Sequence, residues 1–527
     1  MEENHIYLSQ LPWSVQLILR LRPDLNHLFF NGNKIDTKSV DHYIGWLLTS
    51  GIKEYTIIQQ DQTLQHYLLK PASYEGISRL HYVIYLARLD VQQAYPLPLR
   101  KNEFIAWFYR HAVLEHQLWH WLSEDEQTWL TQQSYWEDLR EREQTAMIED
   151  CTVEPVSHLN QAPAYGVNLM GYVFGQLGIG EDLRMAGRAC RAVGLPFALF
   201  NFKPGDDIPQ NDMSMATYVT DSLPYNINIF CMTALEHGRF YVEKGKKPLA
   251  KRYNIGYWPW ELSQWPVEWQ DLTQLVDEVW VSTRHTYDAL APISPVPVLI
   301  MPMAVTLGDI STKTRQNFNL PNDTTLFCFS FDLNSSMYRK NPQACVEAFL
   351  QAFPDTEQKV GLVIKAHTPK KRNEHWEKLK AVADTDPRLY IIEETLSRPD
   401  LLALYQNCDC FLSLHRAEGF GRGIAEALLL DLHVIATAYS GNLDFCEAQT
   451  VDLVDYSLIP VGDDQYPYGN GQVWAEPDIH HAAQLMQQFV NGRQQLNKKV
   501  DKQQFAPAMI GQRYKQRLDW IKTHKLK

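Results

Sequence analysis

The chain has 527 residues, with 49 Lys and Arg against 62 Asp and Glu, for a formal net charge of −13. At 45% hydrophobic and 21% charged it has ordinary globular composition, long enough for about three to four domains, which argues against wholesale disorder. The acidic balance is a poor electrostatic footprint for binding duplex nucleic acid, which is not expected as a partner, and leaves room only for a local basic patch.

The eight cysteines include no C-x-x-C pair, so neither a zinc ribbon nor a disulfide framework is expected. The start, MEENHIYLSQLPW, has no basic n-region followed by an apolar core. The longest apolar stretch, Pro295–Val305, is short and broken by proline. These features predict a cytoplasmic protein without a secretory leader or a transmembrane span.

The first 150 residues hold a weak internal repeat. Leu21-Arg22-Pro23-Asp24-Leu25 is echoed by Ala87-Arg88-Leu89-Asp90-Val91, and Trp46-Leu47 with Glu54 by Trp107-Phe108 with Glu115. Apolar spacing predicts helices over Val15–Leu21, Val40–Leu48 and Phe104–Leu118, continued through Leu118–Leu122 and Trp129–Leu139. The expectation is a helical domain of two related halves, with each Arg-x-Asp serving as a structural ion pair or cap. A polar, proline-containing linker is expected near Cys151–Ala164.

After it, short apolar runs alternate with helical patterns. Strands are expected at Tyr165–Val173, Phe197–Phe202, Ile227–Met232, Asn254–Tyr257 and Glu278–Ser282, with a helix at Gly180–Val193. The alternation then restarts. A second set of strands is expected at Thr325–Asp332, Val360–Lys365, Leu389–Ile392, Cys410–Ser413 and His433–Thr437. Helices are expected at Pro342–Ala352, Arg398–Gln406, Gly423–Leu430, His480–Val490 and, at the end, Ile510–Ile521. Such alternation implies α/β architecture: two Rossmann-like, doubly wound parallel sheets facing a cleft, with ligands beyond the carboxyl ends of the strands. The expected division is 1–155 (helical), 156–312 and 313–505 (Rossmann-like), and 506–527 (a terminal helix returning to the first Rossmann-like segment).

The most informative segment is Ser413–Leu430, SLHRAEGFGRGIAEALLL. It runs from a strand through a glycine-rich turn into a helix. Gly419, Phe420 and Gly421 let backbone N–H groups approach phosphate oxygens, helped by the helix N-terminus. Glu418 falls in the turn, and Glu426 lies eight residues on, about two helical turns later. An acidic residue so placed can accept hydrogen bonds from ribose hydroxyls.

In this context Glu418 and Glu426 match an E-x(7)-E signature, and Val434–Thr437 with Ser440-Gly441-Asn442 matches the strand and small-residue turn that follow it. The chain here resembles the retaining glycosyltransferases of family 4, glycosyl transferases group 1, which have the GT-B fold. The resemblance covers about residues 164–490 and is most specific over 410–445. It implies a nucleotide-sugar donor held mainly by the second Rossmann-like unit and an acceptor held mainly by the first. Glu418 would contact the donor sugar, Gly419, Phe420 and Gly421 the diphosphate, and Glu426 the ribose. Lys340 fits the family's phosphate-binding lysine. The usual arginine position holds Asp332, so Arg339 is assigned that charge. Retention would proceed on one face of the sugar, the leaving phosphate assisting deprotonation of the acceptor, with no metal or other cofactor required.

Gly178 and Gly180 in GYVFGQLGIGE resemble the family loop that faces the transferred sugar and diphosphate. As a nicotinamide fingerprint the same run has the wrong spacing. Lys365, ending a strand, is a further phosphate candidate. The segment Asn254–Trp269 (NIGYWPWELSQWPVEW) follows a strand and is dense in tryptophan. Trp258, Trp260 and Glu261 are acceptor candidates there, equally readable as an aromatic plug under a loop. His237 is a further candidate. His111, Glu115, His116 and His120 do not form a zincin motif, and a metal site is not expected.

The function expected is a retaining, nucleotide-sugar-dependent glycosyltransferase. Its acceptor would be a saccharide, a lipid-linked saccharide or a protein, in surface glycan (polysaccharide) or glycoconjugate biosynthesis. The basic run Lys244-Gly245-Lys246-Lys247 offers peripheral contact with the inner face of a membrane. The alternative is a non-catalytic nucleotide-sugar or carbohydrate binding protein with the same fold.

Overall fold

The computed structural model describes residues 10–30, 36–72, 74, 76–137, 163–204, 208–333, 335–367, 374–492 and 499–526. By contact, Met1–Ala162 and Leu235–Ala250 form one unit, and Pro163–Ala234 and Lys251–Lys527 form the other. Residues 235–250, placed with the first Rossmann-like segment by sequence order, therefore cluster with the helical unit.

In the helical unit, α1 (Trp13–Leu21), α2 (Pro23–Phe29), α3 (Thr37–Thr49) and α4 (Gln62–Leu68) are followed by α5 (Arg79–Ala87), α6 (Leu89–Ala94) and α7 (Lys101–Trp107). A π-turn over Phe108–Ala112 joins α7 to α8 (Val113–Glu115), and α9 (Glu124–Thr131) comes after. Side-chain caps start several of these helices. Asp36, Asp61 and Ser78 accept from backbone N–H groups at the starts of α3, α4 and α5, and Ser123 with Glu126 forms a capping box on α9. Gly45 lets α3 and α5 touch: a Cβ there would lie 2.2 Å from the Val83 carbonyl oxygen.

The internal repeat is a repeat of corners. Arg22 ends α1 and opens α2, and Arg88 ends α5 and opens α6. Arg22 grips Asp24 with Nε and Nη2, both at 2.8 Å, and sends Nη1 to Glu54 at 3.2 Å. Arg88 grips Asp90 at 2.9 and 2.8 Å and reaches Glu115 in the same way. The aspartate sits in the first turn of the second helix, where a negative charge is favoured. Residues 138–162, which include the end of the expected helix at Leu139 and most of the expected linker, lie outside the described residues.

The second unit contains two parallel six-stranded sheets. The first runs β2-β1-β3-β4-β5-β6, with β1 (Ala164–Gly171), β2 (Phe197–Asn201), β3 (Tyr225–Cys231), β4 (Tyr253–Tyr257), β5 (Glu278–Val281) and β6 (Val298–Ile300). The second runs β12-β11-β10-β7-β8-β9, with β7 (Thr325–Asp332), β8 (Val360–His367), β9 (Leu389–Glu393), β10 (Cys410–Ser413), β11 (His433–Thr437) and β12 (Asp452–Val454). The near-continuous burial of β1, β4, β5, β7 and β8 is what a sheet covered on both faces requires. Strand order reverses between β1 and β3 in the first sheet and between β7 and β10 in the second. These are the two switch points at which such sheets open a crevice.

Helices α10 (Gly178–Ala192), α11 (Ala234–Lys244), α12 (Arg284–Leu290), α13 (Met337–Lys340), α14 (Pro342–Ala352), α15 (Glu374–Ala383), α16 (Arg398–Gln406), α17 (Arg422–Leu429), α18 (Ile479–Val490) and α19 (Pro507–His524) complete the described set. Of these, α11 belongs to the helical unit for nearly its whole length. Helix α19 lies against α10 and the first sheet. A Cβ on Gly511 would come within 2.3 Å of the Ala189 carbonyl oxygen, and Tyr165 donates to Asp519 at 2.8 Å. An antiparallel hairpin, β13 (Tyr456–Pro460) with β14 (Val473–Pro477), is an element that strand–helix alternation did not indicate.

Candidate active site

A cavity of about 500 Å³ lies where the two switch points face each other. After β1 it is lined by Gln176–Ile179 and Asp182, after β7 by Asp332, Ser335, Arg339 and Lys340, and after β10 by Glu418–Ile424. Residues some 240 positions apart in sequence thus share one wall.

Glu418 is at the centre. It is 8% exposed and Arg339 5%. Lys340 donates to Oε1 of Glu418, and Arg339 Nη1 lies 3.3 Å from Oε2. Arg339 also donates to the Ala417 carbonyl at 2.8 Å and lies 3.7 Å from Glu261. Burial by itself would raise the Glu418 carboxyl, but the charges of Lys340 and Arg339 outweigh it and hold it at about 2. Burial pulls the Lys340 ammonium downward, against the opposing attraction of Glu418.

The turn carrying Glu418 is held from beneath. Ser440 Oγ accepts from the Glu418 N–H at 2.8 Å, and the Gly441 N–H donates to the Glu418 carbonyl at 2.9 Å. Gly441 is required by space, since a Cβ there would lie 2.2 Å from the Gly419 carbonyl oxygen. Gly421 caps α17 at φ +90°, in the left-handed region that favours glycine. His415, fully buried, sits between Ser413, the Tyr439 carbonyl and Asn442. Burial first, and then the Lys340 charge, lowers its pKa, only partly opposed by Glu418. Sequence reading passed over His415. Its place two residues after an apolar strand was the only signal.

The remaining candidates divide. Gly178 opens α10 onto the cavity with nothing within 4 Å of its would-be Cβ. Gly180 is a packing glycine instead, its would-be Cβ 2.4 Å from the Gly175 carbonyl oxygen. Gly419, Phe420, Gly421 and Glu261 line the cavity. Glu426 is outside its lining, buried on α17 with Arg398 Nη2 at 2.8 Å. Lys365 is also outside it, buried near the end of β8, while its neighbour His367 is a lining residue.

Trp258 and Trp260 do not face the cavity. Both are buried, and their rings pack with Trp265, Trp269 and Tyr466 at centroid separations of 5.0 to 6.1 Å. They form the aromatic plug, because a run of large rings after a buried strand loses the most water-exposed area by stacking on itself. His237 is buried on α11 and is likewise not among the described lining residues. Burial drops its pKa to about 3.

The plug joins the two halves of this unit. Tyr466, in the β13–β14 loop, donates to Glu261 at 2.6 Å and stacks edge-on against Trp260. The Gln264 N–H donates to Gln472 at 3.1 Å, and Thr283 donates to the Gly419 carbonyl at 2.8 Å. Among the described residues, no cluster of three or more metal-ligating side chains occurs and no helix is long and apolar enough to cross a membrane.

Comparison with known proteins follows the same lines. Residues 334–465 match the family model of glycosyl transferases group 1. No curated protein matches the chain in sequence. Sucrose-phosphate synthase from Thermosynechococcus elongatus is similar in structure at 15% identity and TM-score 0.50, covering 68% of this chain and all of that one. Anabaena Alr3699/HepE, solved with UDP and glucose, is similar at 12% identity and TM-score 0.48, over 68% of this chain and all of that one. The chain therefore has the GT-B fold, and the segment that carries Arg339, Lys340, Glu418 and Glu426 is similar to the glycosyl transferases group 1.

Proposed function

We propose that the protein is a retaining glycosyltransferase that moves a sugar from a nucleoside-diphosphate sugar to a saccharide, lipid-linked saccharide or protein acceptor. The observation that carries this reading is the meeting of Lys340, Arg339 and Glu418 with the glycine turn Gly419–Gly421 and the start of α10 around one cavity.

In this reading the diphosphate lies against Lys340, Arg339 and the backbone of Gly178 and Gly419–Gly421. The sugar–phosphate C–O bond breaks, and the diphosphate leaves with both electrons. The two cations stabilise that developing charge, which is where a preorganised site gains most. The acceptor oxygen adds to the same face of the sugar, and its proton passes to the leaving phosphate. Glu418, kept ionised by its neighbours, holds sugar hydroxyls and positions Lys340. Glu426 holds the ribose, with Arg398 beside it. Glu261, at the cavity edge of the plug, faces the acceptor side, and the buried rings of Trp258 and Trp260 behind it keep water out. Side-chain cations, rather than a metal ion, supply the positive field.

The test is a thermal-shift panel of UDP-, GDP-, dTDP- and CMP-linked sugars on the wild type and on Glu426→Ala, followed by a transfer assay with and without EDTA. Stabilisation by one donor class, by about 2.7 kcal/mol at 100 times its dissociation constant, should weaken in the variant. Transfer should survive EDTA and give a product of retained anomeric configuration. A folded protein that binds none of these donors would overturn the reading.

A further inference from the structure

The charged side chains around the cavity supply no excess of positive charge. Among its described lining residues the cations are Arg339, Lys340 and Arg422, and the carboxylates are Asp182, Glu261, Asp332 and Glu418. Arg339 and Lys340 are both engaged by Glu418, and Arg339 also by the Ala417 carbonyl and Glu261. A diphosphate entering such a site meets no net positive charge unless a cation changes partners.

Arg422 is the cation placed to do so. It is the first residue of α17, directly after the Gly419–Gly421 turn. Its Nη2 donates to Asp182 of α10, on the opposite half of the fold, and lies 3.6 Å from the Met303 sulfur. Its Nη1 is buried with no hydrogen-bond partner among the described residues. A buried guanidinium N–H without an acceptor is costly, and such groups are rare unless a ligand completes them. Both helix starts, Gly178–Ile179 and Gly421–Gly423, line the cavity beside it, so an anion there would meet backbone N–H groups from two sides. Arginine's planar fork can hold a carboxylate on one edge and a phosphate on the other, or trade one for the other.

We infer that Arg422 is a further donor-binding residue: Asp182 holds its guanidinium across the cavity, and the diphosphate of the donor takes it over. The inference rests on the nucleotide-sugar reading above and adds to it a residue and a competitor. Asp182 positions the guanidinium and opposes anion binding, so the two residues have opposite effects when removed, which a purely structural ion pair would not show.

The experiment titrates inorganic pyrophosphate and UDP, in EDTA, into the wild type, Asp182→Asn, Arg422→Gln and the double variant, by calorimetry. Arg422→Lys is included in case the glutamine variant is unstable, with melting curves checking each fold. Arg422→Gln is expected to weaken binding about tenfold, and Asp182→Asn to tighten it several-fold. The tightening should vanish in the double variant, because it works through Arg422. If the wild type binds pyrophosphate or UDP and folded Arg422 variants bind equally well, or if Asp182→Asn weakens binding as much as Arg422→Gln does, the exchange is overturned while the transferase reading stands. If the wild type binds neither probe and none of the four donor classes, both fall together.

Discussion

Arginine meets carboxylates in both units, and the two settings use the same chemistry differently. At the helical corners Arg22, Asp24 and Glu54 have side chains 36%, 60% and 54% exposed. In the cavity Arg339, Glu418 and Glu261 are at 7%, 11% and 25%. Exposed pairs cost little to form and contribute little, typically below about 1 kcal/mol, so their value lies in fixing the angle between two short helices. A buried cluster loses several kcal/mol of solvation per charge and is weak evidence for stability. Its persistence in the cavity fits a site that must hold charge ready for a ligand. The same pairing thus costs little at the exposed corners and much in the cavity.

The largest expected effect breaks the buried cluster. Glu418→Gln leaves Lys340 and Arg339 without their shared anion, and kcat for sugar transfer should fall by about 10²–10³-fold with the fold retained by circular dichroism. A fall of less than threefold would reduce Glu418 to scaffold. Next comes the ledge under that cluster. Gly441→Ala places a methyl within 2.2 Å of the Gly419 carbonyl oxygen, and unlike a flexible side chain that backbone cannot yield. Destabilisation of about 1–3 kcal/mol is expected in urea unfolding, together with a rise in KM for the donor.

Acid sharpens the comparison from the other side. In the helical unit burial lowers His237 to about 3 and His81 to about 4, the latter partly opposed by Glu126. Both stay neutral when folded and take up protons on unfolding below pH 6.5. The unfolded state then binds more protons, so stability declines as pH falls from 6.5 toward 4, by roughly 1–2 kcal/mol per histidine at pH 5. Asp41, pushed up to about 6 by burial despite Arg79, works in the opposite direction but is one group against two. Amide exchange in α5 and α11, corrected for intrinsic rate, should therefore be faster at pH 5 than at pH 7. Unchanged protection would remove the argument. Glu418 is shifted in the same direction as these histidines, in a lower pH window. Its depressed pKa adds stability above pH 4.5 that is lost only as pH falls toward 2.

The smallest effect tests the repeat. Arg22→Gln and Arg88→Gln should each cost less than about 1 kcal/mol, by similar amounts, and less in high salt. A large loss at one corner alone would mean that the two halves are not equivalent.

The alternation of apolar runs and helical spacing by itself determined the α/β class, the strands β1–β5 and β7–β11, and the position of the turn around Glu418. These are local properties, written in windows of about ten residues by periodicity, caps and glycine. The Arg-x-Asp echo, read as a cap or ion pair, is of the same kind. Contacts decided the rest. In sequence Trp258 and Trp260 read equally as acceptor wall or plug, and only packing puts their rings against Trp265, Trp269 and Tyr466. Glu426 meets Arg398, from another helix. The segment carrying His237 joins the helical unit. The pairing of Arg422 with Asp182 spans 240 residues of chain, and nothing within either neighbourhood encodes the other. Local propensity sets the elements, but which charges share a cavity is settled only when two sheets bring their switch points together, because burial and partner choice belong to the packed whole.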